Sequence, residues 1–335
     1  MKNIRSIGGV IFIILLNMLV VLLIGESLTR IAFHRSMNFD MEMWKYAGQL
    51  KRTNPNPKIG HEHRPSVSAY LMGAQVDLNS HGMRGEEVPL KKAAGIFRIV
   101  LLGDSLTMGW GVPQKQIYAY LLEKELNNSP PAGFSRGTRF EVLNFGVGNY
   151  NTVQEVSLLQ LKGMAFKPDL ILIGYFINDA EKLEPRKSNF LVTHSFLYAF
   201  GKSVINRFFS DNNKDFKSYY RNLYGENQEG WQECQQSLRD LVALSRKYGV
   251  PAVMFILPEL HDLSNKYPFI DIHLQITKAA TSIGLPVIDF FEDFTKYSGH
   301  EEEIWVSPTD AHPNALAQPI IAHALYQKVA WKELH

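Results

Sequence analysis

Between Ser6 and Gly25 the chain runs for twenty residues without a charge, and from Val10 to Ile24 every position except Asn17 is apolar. A helix of that length rises about 30 Å, the thickness of a bilayer's hydrocarbon core. Such a run belongs in a membrane, in a cleaved leader or in the middle of a protein core. It is longer than the apolar region of most signal peptides, and Leu23-Ile-Gly-Glu-Ser27 has no small-x-small cleavage pattern, so the sequence predicts a retained signal anchor. Lys2 and Arg5 precede the run. By the positive-inside tendency they hold a short tail in the cytoplasm and send the rest to the periplasmic or extracytoplasmic side, although Arg30 and Arg35 soften the asymmetry. Leu28, Ile31, Ala32 and Phe33 continue the apolar pattern, so residues 1–35 read as tail plus anchor, with a helix extending past the membrane.

The remainder is ordinary in composition. Lys and Arg number 35 against 33 Asp and Glu, a formal +2 that offers no electrostatic footprint for a nucleic acid. With 12% aromatic and 45% hydrophobic residues the chain is not disordered. The single cysteine, Cys234, excludes an internal disulfide. Residues 36–96 read as a tether: Asn54-Pro-Asn-Pro57 and Arg64-Pro65 break regular structure, and only residues 67–80 alternate well enough for a small hairpin, with Gly73 at its turn. His61 and His63 beside Glu62 read as solvated.

From residue 97 the pattern becomes rhythmic. Phe97–Leu102, Phe140–Leu143, Leu170–Ile173, Ala252–Leu257 and Val287–Asp289 are short apolar runs bounded by Gly, Pro or polar residues, as suits strands buried on both faces. Helical patterns separate them, around Ile117–Leu126, Val153–Leu161, Leu238–Leu244 and Leu316–Leu325. The alternation predicts a three-layer α/β domain over 97–335 with a mostly parallel, flavodoxin-like sheet of five strands, whose ligands sit at the strands' carboxyl ends.

Those ends carry the candidate chemistry. Ser105 follows the first strand directly, in Gly103-Asp-Ser-Leu106, and reads equally as a nucleophile or as a helix cap. Asn178-Asp179 follows the third strand; Asn178 can aim a side-chain N–H above the sheet, and Asn-Asp is also ordinary turn chemistry. Asp310-Ala-His312-Pro-Asn314 precedes the last helix, and a carboxylate near a histidine can orient the imidazole that a serine nucleophile needs.

Gly103-Asp-Ser-Leu106, Asn144-Phe-Gly-Val-Gly148, Asn178-Asp179 and the late Asp310-x-His312, in this order over residues 97–328, resemble the SGNH/GDSL hydrolase superfamily. The resemblance implies Ser105 as nucleophile, His312 as general base and Asp310 as its orienting carboxylate. It further implies an oxyanion hole of the Ser105 N–H, a backbone N–H at Gly148 or Asn149, and the Asn178 side chain. The sequence departs from the family in three places. Asn149 stands where block two usually has glycine, Phe176 stands two residues before Asn178 in another glycine position, and Asp310 precedes His312 by two residues rather than three.

The resemblance, together with the anchor, implies an esterase acting on acyl, most simply acetyl, esters of envelope glycans or polysaccharide, or on small esters. O-acyl transfer with the same triad is the alternative, and so is a catalytically weak glycan-binding or assembly component. Residues 180–230 interrupt the rhythm and concentrate aromatics: Phe196, Tyr198, Phe200, Phe208, Phe209, Phe216, Tyr219, Tyr220 and Tyr224. They read as a pair of helices packed on the domain, as a lid, or as a surface leaning on the bilayer through Lys202 and Arg207. His261-Asp262 stands at a strand end and could line the pocket. No residue pattern calls for a metal or an organic cofactor.

Overall fold

In a computed structural model of the chain, residues 2–183, 193–209 and 216–334 are described. The first helix, α1 (Lys2–Ala32), is uninterrupted, and its stretch Ile7–Ala32 is long and apolar enough to cross a membrane. Its large apolar side chains from Ile7 to Ile24 are exposed among the described residues. Asn17, the one polar residue of the apolar run, donates its amide to the Ile13 carbonyl one turn back, so the helix satisfies one of its amide N–H groups from within (2.8 Å).

Residues 36–96 are not a free tether. Helix α2 (Phe39–Gln49) starts at Asn38, whose side chain accepts the Met41 N–H. The short pair β1 (Lys51–Thr53) and β2 (His61–His63) is antiparallel, as is the hairpin β3 (Val67–Leu71) and β4 (Ala74–Leu78). The hairpin expected around Gly73 forms on a two-residue turn in which Met72 and Gly73 both have positive φ (45° and 77°), the twist that suits tight hairpins. Its inward residues Ala69, Leu71, Val76 and Leu78 bury themselves against Tyr46 and Leu50, and against Met108 and Trp110 of the α/β domain. Arg84 is nearly inaccessible and donates to the carbonyls of Met108, Gly109 and Val112. The sequence carries breakers at the right places, but the apolar face they separate is a docked layer.

The main sheet has five parallel strands: β5 (Ile96–Leu102), β6 (Arg139–Asn144), β7 (Leu170–Tyr175), β8 (Ala252–Ile256) and β9 (Val287–Asp289). Their spatial order is β6-β5-β7-β8-β9, a doubly wound arrangement. After a one-turn helix α3 (Ser105–Met108), helices α4 (Tyr118–Asn128) and α5 (Thr152–Leu161) connect the first strands. The aromatic-rich stretch holds α6 (Phe196–Phe209) and α7 (Phe216–Leu223); its residues 184–192 and 210–215, and the side chains of Arg207, Phe208 and Phe209, lie outside the described part. Then come α8 (Glu229–Tyr248), α9 (Ile270–Ser282), which the sequence reading did not assign, the one-turn α10 (Phe291–Phe294) and α11 (Gln318–Lys328). Helices α4 and α11 pack together, as do α5 and α8, giving two helical layers around the sheet. A last hairpin of β10 (Trp305–Ser307) and β11 (Asp310–Pro313) lies just ahead of α11.

Helix α6 packs on α1 and α2. The Glu26 carboxylate of α1 accepts the Ser195 hydroxyl (2.8 Å) and the N–H groups of Phe196 (3.1 Å) and Leu197 (3.0 Å), capping α6 from another helix. Lys45 of α2 in turn donates to the carbonyls of Phe33 and His34 at the end of α1, and pairs with Glu42 at 2.8 Å.

Candidate active site

The strand β5 leads straight into a turn where Gly103 has φ 155°, and a Cβ there would fall 1.9 Å from Thr107 Oγ1. Only glycine lets the chain turn this sharply, and the turn lifts Ser105 to the top of the sheet. Asp104 caps α3, its Oδ1 accepting the Leu106 N–H at 2.8 Å. Ser105 is therefore not the cap, and its hydroxyl is available to other groups.

That hydroxyl meets His312 Nε2 at 2.8 Å, and His312 Nδ1 meets Asp310 Oδ1 at 2.5 Å. The two-residue spacing from Asp310 to His312 follows from their place on β11, where side chains two apart share a face. Trp110 Nε1–H donates to the other Asp310 oxygen at 2.9 Å. Burial raises the Asp310 pKa, but the hydrogen bond and charge of His312, with the Trp110 bond, outweigh burial and leave it below the usual carboxylate value. Asn314 acts as a turn former, its Oδ1 accepting the N–H of Leu316.

Block two is shaped by Asn144, which accepts the Gly146 N–H (2.9 Å) and donates to the Thr107 carbonyl (2.8 Å), tying the loop to α3. Asn149 takes the left-handed conformation, with φ 61°, that a glycine would take with less strain. Gly148 does not supply the expected donor: its N–H already donates to Tyr46 Oη at 2.7 Å, because α2 packs so close that a Cβ on Gly148 would lie 2.7 Å from the Tyr46 ring. Asn149, exposed at the cleft, is the backbone donor left in this loop. Asn178 spends one amide N–H on Asp104 Oδ2 at a long 3.4 Å, which leaves the second.

These groups line one cleft of about 310 Å³, near the small end of the range for ligand pockets. Phe176 and Tyr220 narrow it, and Phe39 and Met43 of α2 form part of its wall; the Phe39 ring stacks over His312 with centroids 6.0 Å apart. His261 lies in the same cleft, bonded through Nδ1 to buried Glu259, which raises its pKa. His63, read as solvated, is buried; burial first, then the charge of Lys51, pushes its pKa down to about 3. It is a neutral hydrogen-bonding group, not a titrating one. Asp104, Glu155 and Asp179 are buried and their pKa values are raised by that burial, and both Glu155 oxygens and Asp179 Oδ1 have no hydrogen-bond partner among the described residues.

Sequence reasoning did not find Trp110, Phe39, Met43, Tyr46 or Lys51. Only Trp110 had a local signal, as an aromatic between two glycines five residues beyond Ser105. Chemically, a hydroxyl bonded to an imidazole whose far nitrogen is held by a buried carboxylate is the arrangement that acyl transfer through serine requires.

The doubly wound sheet carries three of the four sequence blocks at the carboxyl ends of its strands, and the fourth, Asp310-x-His312, reaches them from the β10–β11 hairpin. No protein-family model and no curated protein matches the chain. Among solved structures it is similar to a two-domain esterase (CEX) active on acetylated mannans, at 14% identity and a TM-score of 0.45, covering 72% of this chain and 50% of that one. It is similar to the acetyl xylan esterase AlAXEase at 13% identity and a TM-score of 0.44, covering 70% of this chain and all of that one. A lipolytic G-D-S-L protein from Veillonella parvula matches at 12% identity and a TM-score of 0.43, covering 70% and 98%.

Proposed function

We propose that this chain is a membrane-anchored serine esterase that transfers the acyl group of a small ester, most simply acetyl on an envelope glycan, through Ser105, His312 and Asp310. The observation that carries the reading is the continuous line of hydrogen bonds from Ser105 Oγ through His312 to buried Asp310. Ser105 Oγ attacks the carbonyl carbon, the carbonyl electron pair moves onto oxygen, and His312 Nε2 takes the hydroxyl proton. Asp310 holds the imidazolium. The oxyanion is received by the N–H groups of Ser105 and Asn149 and by the second N–H of Asn178. Collapse expels the alcohol, which takes the proton from His312, and leaves acyl-Ser105. Water, or a sugar hydroxyl in a transferase, then enters on the same base.

The small cleft with aromatic walls suits a short acyl group, and a helix long and apolar enough to cross a membrane supports a reaction site beside one. The test is acetate release from acetylated glycans and from p-nitrophenyl acetate by the full chain in detergent, with a fluorophosphonate probe to tag the nucleophile. Labelling and turnover should both vanish in Ser105→Ala; turnover that survives the substitution refutes the reading.

A further inference from the structure

We propose that Lys51 and Tyr46, from the segment ahead of the α/β domain, aim and strengthen the Asn149 N–H as an oxyanion donor; this rests on the acyl-transfer reading above. The Gly148 carbonyl and the Asn149 N–H belong to one planar peptide and point in opposite directions. Lys51 Nζ donates to that carbonyl at 2.5 Å and to Asn149 Oδ1 at 3.3 Å. Lys51 is 4% exposed, with its ammonium 4.4 Å from the centre of the Tyr46 ring, so its charge acts in surroundings that screen it weakly.

The other end of Gly148 is equally fixed. Its N–H donates to Tyr46 Oη, the Tyr46 hydroxyl donates its own proton to His63 Nε2 at 2.7 Å, and His63 Nδ1–H donates to the Gly82 carbonyl at 3.1 Å. Gly148 is thus pinned at both its polar atoms by a segment that contributes nothing to the sheet. With the carbonyl drawn toward β1, the Asn149 N–H faces away from it, and Asn149 lies in the cleft with Ser105. An ammonium on a peptide carbonyl pulls electron density from the amide and makes the opposite N–H a stronger donor. The oxyanion is where that gain is collected, because a ground-state carbonyl oxygen carries far less charge. Lys51 and Tyr46 are positioning residues: neither touches the substrate.

The experiment compares Lys51→Met and Lys51→Arg in the full-length protein. Its readouts are kcat and KM on p-nitrophenyl acetate and the Ki of a trifluoromethyl ketone, whose hydrate-free carbonyl adds Ser105 to form a tetrahedral oxyanion while His312 takes the proton. Lys51→Met should lower kcat about tenfold with KM nearly unchanged, and raise the ketone Ki by a similar factor, as loss of a charge-assisted bond to the donor peptide implies. Lys51→Arg should restore most of both. A folded Lys51→Met with wild-type kcat and Ki, or with a loss in KM alone, overturns the proposal. Should Lys51→Met not fold, Tyr46→Phe decides: it frees the Gly148 N–H while keeping the ring, and unchanged kcat and Ki overturn the proposal. Ser105→Ala, run alongside, separates the two ideas. If it keeps turnover, the acyl-transfer reading itself is wrong; if it abolishes turnover and Lys51→Met does not alter kcat, only the role of Lys51 is wrong.

Discussion

Trp110→Phe tests how the Asp310 carboxylate is held. The substitution removes one N–H and keeps an aromatic ring where Trp110 packs between Phe39, Tyr46 and His312. Asp310 Oδ1 keeps its bonds from the His312 ring and backbone, but Oδ2 loses its indole partner at a residue only 4% exposed. A hydrogen bond to a charged group contributes about 1.5–3 kcal/mol, and each 1.4 kcal/mol is a factor of ten in rate if it is all felt in the transition state. Part of the loss falls on folding, so the expectation is a decrease in kcat/KM of about tenfold together with a lower Tm. The pH dependence has a definite sign. Asp310 has a depressed pKa in the folded protein, so its stabilisation is present above the unfolded carboxylate value and disappears as pH falls through the folded one. The Tm difference between Trp110→Phe and wild type should therefore be largest near neutral pH and shrink toward pH values below the ordinary carboxylate range. Calorimetry at several pH values beside p-nitrophenyl acetate kinetics reads both. Wild-type activity with a wild-type Tm, or a Tm difference that grows on acidification, refutes the account of the Asp310 charge.

Three further substitutions probe the site. Asn178→Ala should lower kcat roughly a hundredfold or more at little change in KM, the ordinary consequence of losing an oxyanion donor, measured in single-turnover acetyl release. Phe39→Ala opens the wall over His312 and should shift preference toward longer acyl chains; since each buried methylene contributes about 0.8 kcal/mol, the butyrate-to-acetate ratio of kcat/KM should rise several-fold. Glu155 has a raised pKa and two oxygens without a hydrogen-bond partner among the described residues, so its neutral form suits the fold and stability is lost as pH rises from the ordinary carboxylate value through the raised one; Glu155→Gln should flatten that decline of Tm on raising the pH.

The five strands were legible because parallel strands covered on both faces must be apolar throughout, and each run stops where the backbone turns toward the site. Asp310 and His312 were legible as a pair, while their odd spacing made sense only once β11 was seen to be a strand. The layer formed by residues 36–96 was not legible. Its hairpin carries a clear alternation, but alternation does not say what the inward face covers, and here the answer lies past residue 100, at Met108 and Trp110. Lys51, Tyr46 and Arg84 bind backbone groups of distant loops, and no periodicity marks a polar side chain whose partner is a carbonyl. The same limit explains Gly148: spacing places a donor in the right loop without showing that its N–H is already bonded to Tyr46 Oη.

The Glu26 cap bears on how such a protein can be handled. Trimming the apolar helix after Ala32 is the natural route to a water-soluble sample, yet it also strips the carboxylate that accepts Ser195, Phe196 and Leu197 at the head of α6. It also removes the helix that leads to Phe33 and His34, whose carbonyls hold Lys45 beside the cleft wall of α2. A shortened chain begun near Gly25, retaining the last two turns of α1, keeps these contacts and sheds most of the greasy surface. Activity lost on the deeper cut and kept on the shallower one would trace to an unplugged helix end, not to the missing bilayer.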